Sequence, residues 1–153
     1  MSSLARRLTL AGLGGCVAVL ALTSCSDEVA VDPPTPPSNV ASICMRLSEE
    51  LPDQVHGQPG RTTRPSSDLT AAWGSPAIVL RCGVDRPAAY QPTSQLVTVN
   101  GVNWFPKELD TGYVFTTWGR KANVEVTVPD EYAPEVNPLV DLAQAVKRSN
   151  PTS

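Results

Sequence analysis

The chain has 153 residues, enough for one domain with a tail and not for two full domains. Aromatics are scarce at 5%, but 41% hydrophobic content supports a modest core. Twelve Lys and Arg against fifteen Asp and Glu leave no basic footprint for nucleic acid, and a single histidine argues against a histidine-rich metal site.

In chain order, Arg6 and Arg7 form a positively charged start. Residues 8–22 follow as an uncharged run of mostly Leu, Ala, Val and Gly. This run is short for a membrane span, which needs about 20 apolar residues, and fits the hydrophobic part of a secretory signal. Leu22-Thr23-Ser24-Cys25 has the pattern of a bacterial lipobox: an aliphatic residue, two small residues, then cysteine. The expectation is a signal peptide over residues 1–24, with Cys25 carrying a diacylglycerol on its thiol. The mature chain would then have 129 residues and a net charge of −5. Two acyl chains anchor stably where one is marginal. An acidic domain gains nothing from anionic headgroups, so attachment would be by lipid alone, on the extracytoplasmic face of the plasma membrane.

Residues 26–38 hold four prolines and three acids, a composition that argues against helix and sheet. They are expected to form a polyproline spacer reaching about 40 Å. Residues 25–39 are thus the lipidated cysteine and tether, and residues 40–149 the globular domain. Within residues 38–51, Ile43, Cys44, Leu47 and Leu51 share one helical face, with Ser38 as cap and Pro52 as stop. Residues 53–70 are polar and rich in Gly, Pro, Ser and Thr, and read as a long loop.

Strands are predicted over residues 77–84, 96–99, 102–105, 113–118 and 123–128. Asn100-Gly101, between the second and third, suits a type I′ hairpin turn. A last helix spans residues 137–148, with Asn137 as cap, Pro138 in its first turn, and Lys147 and Arg148 at its negative end. Leu139, Leu142 and Val146 line its apolar side. Short links between strands require antiparallel pairing. The expected fold is α+β: an antiparallel meander sheet of five strands with both helices packed on one face.

Of the four cysteines, Cys16 leaves with the signal and Cys25 takes the lipid. Cys44 and Cys82 remain in an oxidising compartment, and both lie on apolar faces turned toward the core. A Cys44–Cys82 disulfide is the expected pairing. A redox pair is the alternative, but such cysteines sit close in sequence, as in Cys-x-x-Cys.

Signals for catalysis are thin. His56 lies in the polar loop near Asp53 and Asp68, with no nucleophile elbow and no second histidine for a zinc site. Glu49, Glu50 and Asp53 at the end of the first helix read as solvated charges rather than an acid pair. Gly57-Gln58-Pro59-Gly60 lacks the lysine and serine spacing of a phosphate-binding loop. Arg81, Arg86 and Arg120 are more suggestive. If the helices cover the Cys82 face, then Arg81, Asn123, Glu125 and Thr127 share the opposite, open face. Beside Trp118 or Trp104, arginines there could hold a carboxylate, a sugar or a partner strand. The bland reading is an Arg81–Glu125 cross-strand pair on a wet sheet, with Trp73, Trp104 and Trp118 as core or edge anchors.

The runs Trp73-Gly74-Ser75-Pro76, Val79-Leu80-Arg81-Cys82-Gly83-Val84 with Arg86-Pro87, Val99-Asn100-Gly101-Val102-Asn103-Trp104, and Thr116-Thr117-Trp118-Gly119-Arg120 form a distinctive set. With Cys44 and the Leu51-Pro52 stop, the chain over about residues 41–147 resembles the actinobacterial lipoprotein family known as domain of unknown function 3515. The resemblance implies secretion through the membrane of a high-GC Gram-positive organism. It supplies no activity, so no catalytic residue carries over.

The expected function is a membrane-anchored binding or assembly module at the cell envelope, more readily a non-enzyme than an enzyme. Arg81, Arg120 and Trp118 are its candidate ligand or partner contacts. No metal, cofactor or nucleic acid is expected; the partners are the plasma membrane through Cys25 and an envelope protein. The alternative is a small envelope hydrolase acting on cell-wall material through His56 and an aspartate.

Overall fold

Alternation of apolar and polar residues decides which way the strands face. Ile78, Leu80 and Cys82 are buried while Val79 and Arg81 between them are only partly so, and Val124, Val126 and Val128 alternate in the same way with Glu125 and Thr127. The computed structural model describes residues 28–153; the predicted signal peptide, Cys16 and Cys25 lie outside the described residues.

In chain order the elements are β1 (Val29–Ala30), α1 (Ser38–Glu50), β2 (Gln54–Val55), β3 (Gln58–Arg61), β4 (Thr63–Arg64), β5 (Thr70–Trp73), β6 (Ile78–Cys82), β7 (Val97–Val99), β8 (Val102–Leu109), β9 (Gly112–Trp118), β10 (Val124–Pro129), a 3₁₀ turn (Asp130–Tyr132) and α2 (Pro138–Ser149). The class is α+β, as expected, but the strand count is not. The main sheet has eight antiparallel strands in the order β2-β3-β5-β6-β10-β9-β8-β7, and β1 pairs with β4 in a parallel two-stranded ribbon.

Three strands of the main sheet, β2, β3 and β5, and both strands of the ribbon lie outside the five predicted strands. Residues 53–70 are not one loop: β2 and β3 form a hairpin about His56-Gly57, whose φ angles of 51° and 71° match a type I′ turn. Thr70–Trp73 pairs with β6 through four residues. The meander also holds only in part. β7 to β10 run consecutively, but β6 pairs with β10 instead of β7. Residues 83–96 must therefore travel from the middle of the sheet to its edge. Four inter-strand steps make that about 19 Å.

Both helices cover one face. From α1, Ile43, Cys44 and Leu47 are buried; from α2, Leu139, Leu142, Ala143 and Val146 are buried. They meet Leu80, Cys82, Trp104, Phe115, Val124 and Val126 in one cluster. Cys44 and Cys82 are joined there, with Cα atoms 5.5 Å apart. The expected caps are not made. Ser38 is the first helical residue, preceded by Pro37, and Asn137 makes no side-chain cap bond. Leu51 is extended ahead of Pro52, as the clash before a proline requires.

The opposite face is not open. The predicted polyproline spacer is docked across it, because two valines inside the proline-rich run have somewhere to go. Val29 and Val31 donate backbone N–H bonds to Thr62 and Arg64, and Val31 is buried. Arg81 Nε donates to the Asp32 carbonyl at 3.1 Å, and Pro36 lies against Gly83. Farther along the sheet, residues 83–96 cross over Phe105 and Trp118, with Tyr90 stacked on the Trp118 ring at 3.5 Å between centroids. Beneath these two straps Thr70, Ala72, Phe105 and Thr116 are all buried.

Candidate functional site

Three sequence-selected residues fall on this strapped face or at its end, and each is already engaged. Arg81 bonds Glu125 at 3.2 Å, the cross-strand pair, and also holds the N-terminal strap. Trp118 is stacked by Tyr90, and the Arg86 guanidinium lies 4.6 Å from its ring centre. Arg120 donates to the Asn150 carbonyl at 2.9 Å and the Gly101 carbonyl at 3.3 Å. The face expected to be open is thus covered by the straps at Arg81 and Trp118, while Arg120 stands at its end.

His56 sits at the tip of the β2–β3 hairpin. Its backbone N–H donates to the Asp141 carboxylate at 2.7 Å, and its ring meets Tyr132 edge-on. Among the described residues no carboxylate is within ion-pair distance of the imidazole, and no group of three or more His, Cys, Asp or Glu is placed to hold a metal. Trp73 and Trp104 are core anchors; Trp73 Nε1 donates to the Pro52 carbonyl.

What the structure does assemble is a basic cavity of about 720 Å³ at the end of the sheet where β6 and β9 finish. Four elements supply it. Helix α1 gives Asn39, Ile43 and Arg46, whose spacings of four and three put them on one helical face. The connector after β6 gives Arg86, and the turn after β9 gives Arg120 and Lys121. The last residues, Pro151 and Ser153, close one side, and Asn123 stands at its floor with its amide bonded to the Val84 carbonyl. Among the described residues, no Asp or Glu side chain lines this cavity.

A second cavity adjoins it through Arg86, Lys121 and Asn123. Its wall is the strap, Pro33 to Pro37, and its charges are mixed: Arg81 is paired with Glu125, and Asp85 lies at its edge. The two cavities differ in kind. Among the described lining residues, one mixes three basic with two acidic side chains, and in the other every charged side chain is basic.

Asn150 positions that cationic wall, and nothing in the sequence singled it out. It is fully buried, and its side-chain amide copies a strand pairing: Oδ1 accepts from Ala122 N–H at 3.0 Å and Nδ2 donates to the Ala122 carbonyl at 2.7 Å. Lys121 N–H donates to the Pro151 carbonyl, and Arg120 bridges to Thr152. These bonds fix the turn that presents Arg120 and Lys121. A polar residue before a proline just past a helix reads as an ordinary stop, which hides this role.

Among the described residues, the fold defines a small, disulfide-stapled α+β domain with a pocket whose charged side chains are all basic. The chain belongs to the family described as "Protein of unknown function (DUF3515)", whose family model matches residues 8–153. No curated protein and no solved structure matches it.

Proposed function

We propose that the protein is an extracytoplasmic lipoprotein, anchored through a lipid on Cys25, whose domain serves as a binding module at the bilayer surface of the cell envelope. The observation that carries this reading is the Cys44–Cys82 disulfide, since such bonds persist in oxidising compartments outside the cytosol. It agrees with the lipobox pattern of Leu22-Thr23-Ser24-Cys25.

The docked strap sharpens the reading. Only Ser26 and Asp27 separate Cys25 from Glu28, where the described fold begins. Three Cα–Cα steps span at most about 11 Å, so the domain rides close to the membrane and not on a 40 Å stalk. Its function then concerns molecules at or just above the bilayer, an envelope protein among them.

The test is Cys25→Ala in cells. The expected outcome is loss of lipid labelling and of membrane retention of the mature protein. Continued labelling overturns the anchor. In-cell crosslinking of the wild type should capture a reproducible envelope component; an empty capture set argues against a protein partner and moves the weight to a small ligand.

A further inference from the structure

Charge is distributed unevenly over this molecule. Residues 28–153 hold ten Lys and Arg against fourteen Asp and Glu. Yet Arg46, Arg86, Arg120 and Lys121 line one cavity with no acidic side chain among its described lining residues. Elsewhere arginines find carboxylates: Arg64 with Glu28, Arg81 with Glu125, Arg148 with Glu50. Among the described residues, none of the four cavity cations is ion-paired, and neighbouring Asp85 pairs with none of them. Like charges gathered with no acidic side chain among the described lining residues repel one another, and an anion bound there relieves that repulsion.

We infer that this cavity binds a phosphate-bearing ligand with two or more negative charges, an inference that rests on the reading of the domain as a binding module. Two of the arginines are already oriented. Arg86 lies over Trp118, and Arg120 is held by two carbonyls. An oriented guanidinium offers its planar donor fork to oxyanions with less ordering entropy to lose. Arg46 and Lys121 are exposed and supply mobile charge at the rim. A single carboxylate would bring one charge to four cations, whereas a phosphate monoester or diphosphate brings two or more. The volume of about 720 Å³ leaves room for the group that carries the phosphate.

The phosphate could belong to a soluble ester or to a lipid headgroup, and one titration series separates these sources. Full-length protein in detergent is titrated calorimetrically with pyrophosphate, with ionic strength held constant by chloride. Saturable one-to-one binding is expected. The double variant Arg46→Gln/Lys121→Gln should bind about tenfold or more weakly, since each change removes a charged donor to the phosphate. These two residues are exposed, and Arg46 donates only within its own helix, to the Ser42 carbonyl, so the variant should keep the wild-type melting temperature. Arg148→Gln, outside the cavity, should bind as wild type does.

The titration is repeated in phosphatidylcholine vesicles containing either phosphatidic acid or an equal charge of fatty acid. A pyrophosphate affinity lowered by phosphatidic acid beyond the fatty-acid control marks a headgroup site. Equal affinity in the two marks a soluble ligand, and both outcomes support the inference. No saturable binding in detergent, or equal binding by the folded double variant, overturns it. The detergent titration does not depend on the anchor. Its failure leaves the lipoprotein reading standing, and loss of the lipid at Cys25 leaves the pocket standing.

Discussion

The two faces of the main sheet are covered by different means. The helix face is sealed by two amphipathic helices, and most of its contacts are aliphatic: Leu47, Leu139, Leu142 and Val146 against Leu80, Val124 and Val126, with Trp104 and Phe115 beside them. The strap face is covered by segments without regular repeat, residues 28–37 and 83–96, held at single points: Val31, Asp32, Pro36 and Tyr90. A periodic pattern spreads burial over many residues, whereas a strap concentrates it in a few anchors. The helix face should therefore set global stability, and the strap face should open locally at lower cost. Both proposed functions sit on the strap side: the short leash to Cys25 and the loop that brings Arg86 to the cavity.

The largest expected effect breaks the helix face. Replacing both Cys44 and Cys82 with serine removes a crosslink of sequence separation 38, worth about 4 kcal/mol by the chain-entropy relation. Urea unfolding of the variant should show that loss, and wild type under reductant should match it. If a strap variant costs as much, the distinction between the faces fails.

Next comes the anchor of the N-terminal strap. Gly83 has φ of 89°, and an added Cβ would lie 2.6 Å from Pro36 Cγ. Gly83→Ala therefore meets both backbone strain and a clash with the strap. A loss of about 2 kcal/mol is expected. Limited proteolysis should cut residues 29–37 faster while the sheet stays intact. Unchanged cleavage would show that the strap does not depend on this contact.

These anchors explain what was legible in the sequence. Periodicity located both helices and the five strongest strands, and Asn100-Gly101 located its turn, with φ of 46° and 80°. Cys44 and Cys82 could be paired because both faced inward by the same periodicities. The strap was hidden because two valines among prolines make no pattern, and β1 is only two residues long. β3 reads Gln-Pro-Gly-Arg, a composition poor in strand formers, and enters the sheet through pairing with β5. Strand order is not encoded locally, so nothing showed that β6 pairs with β10 or that residues 83–96 must cross the sheet. The site was half legible for the same reason. Arg86 and Arg120 stood out as residues, but their meeting with Arg46 and Lys121 depends on that crossing and on the Asn150 clamp.

The crossing strap gives a smaller effect. Tyr90 stacks on Trp118 and contacts Phe105 edge-on. Tyr90→Ala should cost about 1.5 kcal/mol, the scale of an aromatic pair. Trp73 and Trp104 are buried while Trp118 is half-buried, so rising iodide quenching of tryptophan emission would report Trp118. The same variant should weaken pyrophosphate binding, because Arg86 loses its supporting loop. Intact quenching together with intact binding would show that Tyr90 fixes neither.

The smallest effect makes the finest distinction. Glu28 pairs with Arg64 across the β1–β4 ribbon, Nε to Oε2 2.7 Å, but the Arg64 side chain is 71% exposed. Solvent screens such a pair, and Glu28→Gln should change global stability by less than about 0.5 kcal/mol. Its influence should appear in hydrogen exchange at Val29 and Val31, whose amides bond Thr62 and Arg64. If the strap opens on its own, those two amides exchange faster in the variant while amides of β6 and β10 do not. If the strap, β6 and β10 all respond together, the strap and the sheet unfold as one unit. The domain would then be held at the membrane by a segment as firm as its core.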